Sequence, residues 1–475
     1  MPSFTLVLAC FHVLNLIAVI MVIFFQSKES SARLAWILVL IFVPLLGFVL
    51  YMLFGHDHTR RERLQYSTTL LEEVKKDFRG RIAQADRLDF ADKRFVQLAR
   101  MNMANDRARL SHNNKFEVFT NGEDKFRRLL EDIREAKEYV HLMYFIFRND
   151  ELGKAIIDLL TGKAEQGVDV KVVFDDLGSF AVSRGAFRKL RRAGGKVFRY
   201  SMLFPSLFSA NYRNHTKVAV IDGLIGYIGG MNIGVEYTGR GKLRPWRDTH
   251  LRVQGSLVGS LAMLFLISYN YAKNEEGKID SLGRFFKPAE LFDGTASAQM
   301  LTSVPQPGRH HIHDAYAKMI SSAERYLFIH TPYLIPDRTI MDGLRNAAAS
   351  GVDVRVMLPA TPDKRLVYYA SLHYARQLCR DGVKIYLYDG FLHSKMVLVD
   401  DQVLSIGSAN MDIRSFYLSY EANACIFDRR LAEGQRAQFE LDMENSRAAD
   451  LEYFTALSAP VRLLMPVCQL FSPLL

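Results

Sequence analysis

The sequence predicts an α/β protein in which one structural unit occurs twice, preceded by two membrane-spanning helices. Short apolar segments with strand character alternate with amphipathic segments of helical spacing, a pattern typical of α/β units. Two blocks of similar sequence return in the same order: AKEYVHLMYFIF at 136–147 with GVDVKVV from Gly167, then AERYLFIHTPYL at 323–334 with GVDVRVM from Gly351. Internal duplication is the simplest explanation of this order.

Two apolar segments near the N-terminus predict the membrane-spanning helices. Residues Phe4 to Phe25 and Leu34 to Phe54 form uncharged runs of 22 and 21 residues, each long enough to cross a bilayer. A cleaved signal peptide is the alternative, but the basic region that precedes such a peptide is missing and a second span follows at once. Basic residues are more numerous after the second span than between the two, so the positive-inside rule places the rest of the chain in the cytoplasm.

The same patterns divide the chain into four segments. The segments are a transmembrane hairpin at 1–55, a polar, helical, membrane-proximal connector at 56–110, and the two repeats at 111–290 and 291–475.

Two further apolar segments have no single interpretation. The first repeat carries an insert at 201–210, which is either a loop packed on the other repeat or a flap that contacts lipid. The tail from Ala459 to Leu475 either caps the second repeat or inserts into the membrane interface.

Composition and charge limit the class of partner. The four cysteines lie far apart without a CxxC pair, which disfavours both a zinc site and a disulfide framework and indicates a reducing compartment. The formal net charge of +10 favours a polyanion or an anionic membrane surface as partner, without choosing between them.

One motif occurs in both repeats and contains the candidate catalytic residues. It has a His, a Lys two residues later and an Asp five residues after the Lys, followed at a matched interval by a Gly-rich turn that ends in Asn. Because the residues after each Lys are apolar, each motif predicts a buried strand with His and Lys on the same face. The residues are His215, Lys217, Asp222 and Asn232 in the first repeat, and His393, Lys395, Asp400 and Asn410 in the second.

These residue types could form a site for phosphoryl transfer. If the repeats meet about a pseudo-twofold axis, two Lys and two Asn surround a tetrahedral anion and hold its non-bridging oxygens. One His can then attack phosphorus while the other protonates the departing oxygen. The lysines supply the positive charge, so neither a metal nor a cofactor is expected.

An attacking imidazole is usually oriented through its second nitrogen by a carboxylate. The candidate for His393 is Glu421, and the candidate for His215 is Asp248, with Glu236 as the alternative. A separate HHxH cluster, made of His310, His311 and His313, could hold a metal. No cysteine or acid completes a ligand set at a recognised spacing, so this cluster is not predicted to bind one.

The duplicated motif resembles the HxKxxxxD signature of the phospholipase D superfamily, which here is followed by GGxN and GSxN. The resemblance covers residues 111–475 and implies two α/β/α sandwich halves with one active site at their interface. It also implies a phosphohistidine intermediate on His215, with His393 as general acid and then base. Asp222 and Asp400 are implied to anchor strand ends.

Further blocks resemble the bacterial cardiolipin synthases over the whole chain, among them PWRDTH from Pro245, TPYLIPD from Thr331 and GSANMDIRSFYLSYE from Gly407. This resemblance implies phosphatidyl transfer between two phosphatidylglycerol molecules, giving cardiolipin and glycerol, at the cytoplasmic face of the bacterial inner membrane. Phosphatidylglycerol, cardiolipin and an anionic membrane are the implied partners, and no nucleic acid is expected.

The sequence is compatible with more than one activity and more than one set of head-group contacts. A membrane-tethered phospholipase D, phosphodiesterase or nuclease with water as acceptor would use the same histidines. The oligomeric state is not predicted. The candidates for head-group contacts are Arg148, Arg244, Arg247 and Arg414.

Overall fold

The computed structural model describes residues 13–20, 22–23, 30–51, 92–106, 108–183, 185–200, 212–273, 285, 287, 291–305 and 310–474. Near the N-terminus, residues 13–20 are helical and are followed by helices α1 (Ser30–Phe42) and α2 (Pro44–Leu50). In the described part of the chain, no helix is both long enough and apolar enough to cross a membrane. The predicted spans at 4–25 and 34–54 lie only partly within the described residues, and the insert at 201–210 lies outside them.

The described part of the chain has twenty strands, of which sixteen join in one large sheet and four form two separate two-stranded sheets. In the first repeat they are β1 (Ser111–Phe119), β2 (Tyr139–Tyr144), β3 (Asp169–Asp175), β4 (Lys196–Tyr200), β5 (Arg213–Asn214), β6 (Lys217–Ile221), β7 (Ile225–Gly229), β8 (Trp246–Arg247) and β9 (His250–Gln254). In the second they are β10 (Ala296–Ser303), β11 (Tyr326–His330), β12 (Leu334–Ile335), β13 (Asp353–Pro359), β14 (Lys384–Tyr388), β15 (Phe391–Leu392), β16 (Met396–Val399), β17 (Val403–Gly407), β18 (Met411–Asp412), β19 (Ser419–Phe427) and β20 (Ser446–Ala448).

The strand order is the same in both halves of the sheet. From the outer edge to the centre it is β4-β3-β2-β6-β7-β9-β1 in the first half and β14-β13-β11-β16-β17-β19-β10 in the second, with β20 added outside β14. The antiparallel pair of β1 with β10 joins the halves, so the sheet has pseudo-twofold symmetry about its centre. The predicted α/β fold with two repeats is confirmed.

Helices cover both faces of this sheet. The first repeat contributes α4 (Gly122–Glu135), α5 (Glu151–Glu165), α6 (Arg188–Arg192) and α7 (Leu257–Lys273). The second contributes α8 (His311–Ser321), α9 (Arg338–Ala349), α10 (Arg365–Arg380), α11 (Ile413–Tyr417), α12 (Arg429–Glu444), α13 (Leu451–Ala456) and α14 (Ala459–Gln469), and two short 3₁₀ turns lie at Val235–Thr238 and Ser472–Leu474. Side chains of Asn and Asp cap many of these helices by accepting a hydrogen bond from a first-turn N–H, as Asn121 does for α4 and Asp337 for α9.

Three apolar cores lie against the sheet. One contains α7 and α12 and runs across strands of both halves, which makes the two repeats one packed body on that face. The other two lie on the opposite face, one within each repeat. Because helices lie on both faces of a central sheet, each repeat is an α/β/α sandwich.

Part of the connector is packed on the second repeat. Helix α3 (Lys93–Asn105) buries Phe95 and Leu98 in the core of that repeat. The guanidinium of Arg94 donates to the Asp400 carboxylate at 2.9 Å, and Asn102 donates to Gln299 at 3.0 Å. The end of the connector is therefore part of the globular body.

Candidate active site

Each motif histidine is placed by a short strand that crosses to the other half of the molecule. Strand β5 precedes His215 and pairs with β19 of the second repeat, whereas β15 precedes His393 and pairs with β8 of the first. The His215 N–H donates to the carbonyl of Tyr420 at 3.0 Å, and the His393 N–H donates to the carbonyl of Arg247 at 2.6 Å. In both cases the residue after the accepting carbonyl is an acid.

Those two acids orient the histidines. The Nδ1 atom of His215 lies 3.0 and 3.1 Å from the carboxylate oxygens of Glu421, and Nδ1 of His393 lies 2.7 Å from Oδ2 of Asp248. Each ring is thus oriented by the opposite repeat, and the expected pairs, Glu421 with His393 and Asp248 with His215, are wrong. The alternative acid, Glu236, instead forms an ion pair with Arg148.

The GGxN and GSxN turns that follow the two motifs contact these carboxylates closely. A Cβ atom at Gly230 would lie 2.1 Å from Oδ1 of Asp248, so only glycine leaves room for the carboxylate there. At the equivalent position of the second repeat, the hydroxyl of Ser408 donates to Glu421 at 2.5 Å. The GGxN and GSxN sequences therefore differ at the position that contacts the orienting acid.

Burial and nearby cations favour neutral imidazoles. Burial, then the charges of Lys217 and Lys395, hold the pKa of His215 well below its ordinary value. Burial and Lys395 lower the pKa of His393 to about 4. A neutral ring that donates from Nδ1 to a carboxylate has its lone pair on Nε2, where it can act as a nucleophile or a base.

Both lysines lie close to the histidines, since the charges of Lys217 and Lys395 are among those that lower the pKa of His215. The Nζ atoms of Lys217 and Lys395 donate to the backbone carbonyls of His215 and His393, respectively. Burial lowers the pKa of Lys217 well below its ordinary value and that of Lys395 to about 8. A bound anion reverses such a shift because it stabilises the ammonium form.

Glu421 belongs to the same electrostatic cluster. Burial raises the pKa of its carboxyl group to about 7, although the Lys217 ammonium acts in the opposite direction. The group therefore titrates near neutral pH, where it changes from a hydrogen-bond donor to an acceptor for the Nδ1–H of His215.

The two motif asparagines hold the turns on which they lie. Asn232 accepts from the Ile146 N–H at 2.9 Å and donates to the Tyr237 hydroxyl at 2.7 Å. Asn410 donates to Asp412 at 2.9 Å, while its Oδ1 is buried without a partner among the described residues. Each amide has a second N–H, which is the group that could reach a phosphate oxygen.

The motif aspartates lie at the far ends of their strands. Asp222 accepts three backbone N–H groups at 2.7–2.8 Å where β2 begins, from Lys137, Glu138 and Tyr139. Asp400 accepts three at 2.9 Å where β11 begins, from Glu324, Arg325 and Tyr326. Both aspartates have positive φ angles, 54° and 53°, in a turn between antiparallel strands. The structure therefore places them away from the histidines, where they tie strand ends together.

Comparison with known proteins identifies the family. The family model described as "Cardiolipin synthase, PLD-like domain" matches residues 129–240 and 316–443, and "Phospholipase_D-nuclease N-terminal" matches residues 13–56. The chain is 40% identical to the major cardiolipin synthase ClsA of Bacillus subtilis strain 168 over 99% of both chains. The chain belongs to the cardiolipin synthases. It is accordingly an enzyme of the phosphatidyltransferase class, as the sequence predicted.

Other cardiolipin synthases match along the same length. Cardiolipin synthase 1 of Staphylococcus aureus strain COL is 38% identical over 99% of this chain and 98% of its own. Among solved structures, the phosphatidylserine synthase of Haemophilus influenzae Rd KW20 matches with a TM-score of 0.62 and 16% identity, covering 80% of this chain and 100% of that one. That likeness supports the phospholipase D-like fold.

Sequence reasoning missed the aromatic side chains around the histidines of this cardiolipin synthase fold. Phe145 meets the ring of His215 edge-on at 4.9 Å. Trp246, Phe391 and Tyr237 lie 5.5, 5.7 and 6.1 Å from the ring of His393. The signal was present, because Trp246 lies two residues before Asp248 and Phe391 two residues before His393. These rings replace water beside the pocket with apolar surface.

The candidate head-group arginines have different environments. Arg247 is buried in an ion pair with Asp442 at 2.8 Å, which gives it a structural role. Arg148 is paired with Glu236, and burial lowers the pKa of Arg414. Arg244 is exposed and donates to the Gly241 carbonyl at 2.7 Å. Lys364 was not predicted, but its charge is among those that lower the pKa of His215, so it lies near that histidine.

In the HHxH cluster, the His313 side chain contacts two carboxylates. His313 lies 3.3 Å from Asp314 and 3.0 Å from Asp337. Burial disfavours its charge, but the two carboxylates overcome this effect and raise its pKa to about 9. A protonated imidazole has no lone pair for a metal.

Proposed function

We propose that this chain makes cardiolipin by transferring a phosphatidyl group from one phosphatidylglycerol to the free glycerol hydroxyl of another, with release of glycerol. The observation that carries the proposal is the crossed arrangement of the histidines, in which each ring is oriented by an acid of the other repeat. Neither repeat could assemble this pair alone. The names of the full-length relatives support the choice of lipid.

In the first step, Nε2 of His215 attacks phosphorus and the bond between phosphorus and the glycerol head-group oxygen breaks. His393 gives its Nε2 proton to that oxygen, so glycerol leaves as a neutral alcohol. The negative charge of the bound phosphodiester favours the imidazolium form of His393 that this donation needs. Lys217, Lys395 and the side-chain N–H groups of Asn232 and Asn410 hold the non-bridging oxygens as charge develops.

In the second step, His393 acts as the base. It takes the proton from a glycerol hydroxyl of the second phosphatidylglycerol, whose oxygen attacks phosphorus as the bond to His215 Nε2 breaks. Both histidines return to their starting forms, and no metal or cofactor is consumed. The aromatic rings beside His393 favour a lipid alcohol over water as the acceptor, because they exclude water from the reacting centre.

The proposed substrate requires access to a membrane. We infer that residues 1–55 form a hairpin in the cytoplasmic membrane, with the connector at 56–110 and the repeats at 111–290 and 291–475 on the cytoplasmic side. The uncharged runs and the N-terminal family match at 13–56 support this arrangement.

Product analysis tests the function. Purified full-length protein is given vesicles of phosphatidylglycerol with a labelled head group, and lipids and free glycerol are measured together. Equal amounts of cardiolipin and labelled glycerol are expected. Phosphatidic acid without cardiolipin would instead assign a phospholipase D with water as acceptor.

A further inference from the structure

The C-terminal helix α14 is apolar on both of its sides. Its inner side buries Met465 and Cys468 in the core of the second repeat, against α10. Its outer side and the turn that follows expose five large apolar side chains, with exposed fractions of 72, 41, 50, 74 and 44%. They are Leu463, Leu464, Val467, Leu470 and Phe471, which we call the C-terminal patch.

Capping the second repeat does not require this outer side. A helix that only covers a core keeps a polar face towards solvent, as α12 does with exposed Arg429, Arg430 and Glu440. Single exposed leucines are common on soluble proteins, but five large apolar side chains within nine residues form a contiguous surface that marks an interaction site.

The C-terminal patch packs on elements that begin close in sequence to residues of the candidate active site. Helix α14 packs along α10, which begins directly after Lys364, a residue whose charge reaches His215. The turn Ser472–Leu474 contacts α11, which begins three residues after Asn410. The Tyr374 hydroxyl holds this turn by donating to Ser472 at 3.1 Å. A planar surface that met the C-terminal patch would therefore contact the side of the second repeat to which these elements belong.

One exposed basic side chain lies in the helix of the patch, and others lie on neighbouring elements. Arg462 lies within α14, and Arg447 lies on β20, which leads into α13 and α14. Lys364 and Arg365 are exposed at the start of α10. Apolar side chains next to basic ones match the interface of an anionic bilayer, where the former enter the acyl boundary and the latter meet phosphate groups.

We infer that the C-terminal patch docks the second repeat on the surface of an anionic bilayer, and so holds the pocket at the level of the lipid head groups. The inference rests on the proposed lipid substrate, but it assigns a second contact with the membrane, apart from residues 1–55. The proposed lipid substrate favours a bilayer over a second copy of the chain as the occupant.

Lipid quenching of tryptophan tests the contact itself. Tryptophan is introduced in the full chain at Leu463, or at Leu441 of α12 as a matched exposed position, and each variant is compared with the parent protein, which contains Trp36 and Trp246. With vesicles of brominated phosphatidylglycerol, the added emission of L463W should fall by at least about half, and that of L441W should change little. Equal quenching of the two variants overturns the inference.

Activity provides a second readout that separates docking from chemistry. The triple variant Leu463→Ser, Val467→Ser, Leu470→Ser should form cardiolipin about tenfold more slowly on vesicles but at the parental rate in detergent micelles. The control Leu291→Ser, Leu441→Ser should match the parent in both. Loss of rate in micelles, an unchanged vesicle rate, or dissociation of a dimer by the triple variant would contradict docking. If the parent makes no cardiolipin at all, the proposed function fails, while the quenching result still decides the inference.

Discussion

Nδ1 of His393 lies 2.7 Å from Oδ2 of Asp248, a carboxylate that is 145 residues away in the sequence and belongs to the other repeat. Its counterpart joins His215 to Glu421 in the opposite direction. Because of these two crossed contacts, the candidate active site needs both repeats.

Replacing Asp248 with Asn should lower the rate of cardiolipin synthesis by about 10²–10⁴-fold. The amide no longer fixes the proton on Nδ1 of His393, so Nε2 loses its defined role as acid and base. Steady-state rates of D248N and E236Q measure the effect. Glu236 pairs with Arg148 instead of a histidine, so E236Q should stay within about threefold of the parent. A larger loss in E236Q than in D248N would mean that the observed pairing is not used.

The pH dependence of kcat/KM should reflect the ionisation of the Glu421 carboxyl group. Its pKa of about 7 is raised above the ordinary value, so the carboxylate that accepts from His215 forms as the pH rises through neutrality. The value of kcat/KM should therefore increase between about pH 6 and 8. In E421Q this rise should disappear and the rate should be low throughout. A parental rise that persists in E421Q would assign it to another group.

Asp222 should matter for stability more than for chemistry. D222A leaves three backbone N–H groups without their acceptor and places alanine at a φ of 54°, so the thermal midpoint should fall by about 4–8 °C. D222N should recover part of this loss, because asparagine keeps one acceptor and tolerates positive φ. The folded fraction of D222A should retain its specific activity within about threefold. Loss of activity at full stability would place Asp222 in the chemistry.

Trp246 should control the choice between lipid and water as acceptor. Removing the indole in W246A opens space beside His393, so the ratio of phosphatidic acid to cardiolipin should rise by about tenfold. W246F keeps an aromatic ring and should retain most of the parental ratio. Mass spectrometry of the lipid products gives both values in one measurement. An unchanged ratio in W246A would show that the ring does not exclude water.

The sequence predicted the duplicated fold better than it predicted the contacts of the motif histidines. The equal strand order of the two halves follows from blocks that repeat along the chain. The motifs predicted strands that contain both His and Lys, but His215, His393 and Lys395 precede the strands β6 and β16. The orienting acids were assigned to the wrong histidines because the repeats have similar spacings, so spacing does not reveal which half contributes the acid. The exchange depends on β5 and β8, strands of two residues that are too short to show any periodicity.

The packing of α3 was missed for a related reason. Its sequence reads as a polar helix, and only the fold brings Arg94 to within 2.9 Å of Asp400, 306 residues away. Contacts of this range depend on how elements assemble, and a single sequence contains no record of them.

Direct detection of the covalent intermediate tests the central claim. Full-length parent, H215N and H393N proteins are mixed with phosphatidylglycerol labelled in its phosphatidyl group, denatured at neutral pH and digested, and the labelled peptide is identified by mass spectrometry. A phosphatidyl group on His215 is expected in the parent and absent in H215N, and H393N should form it slowly because the first step lacks its acid. Label on His393, or rapid turnover by H215N, would contradict a single active site in which His215 attacks and His393 transfers the proton.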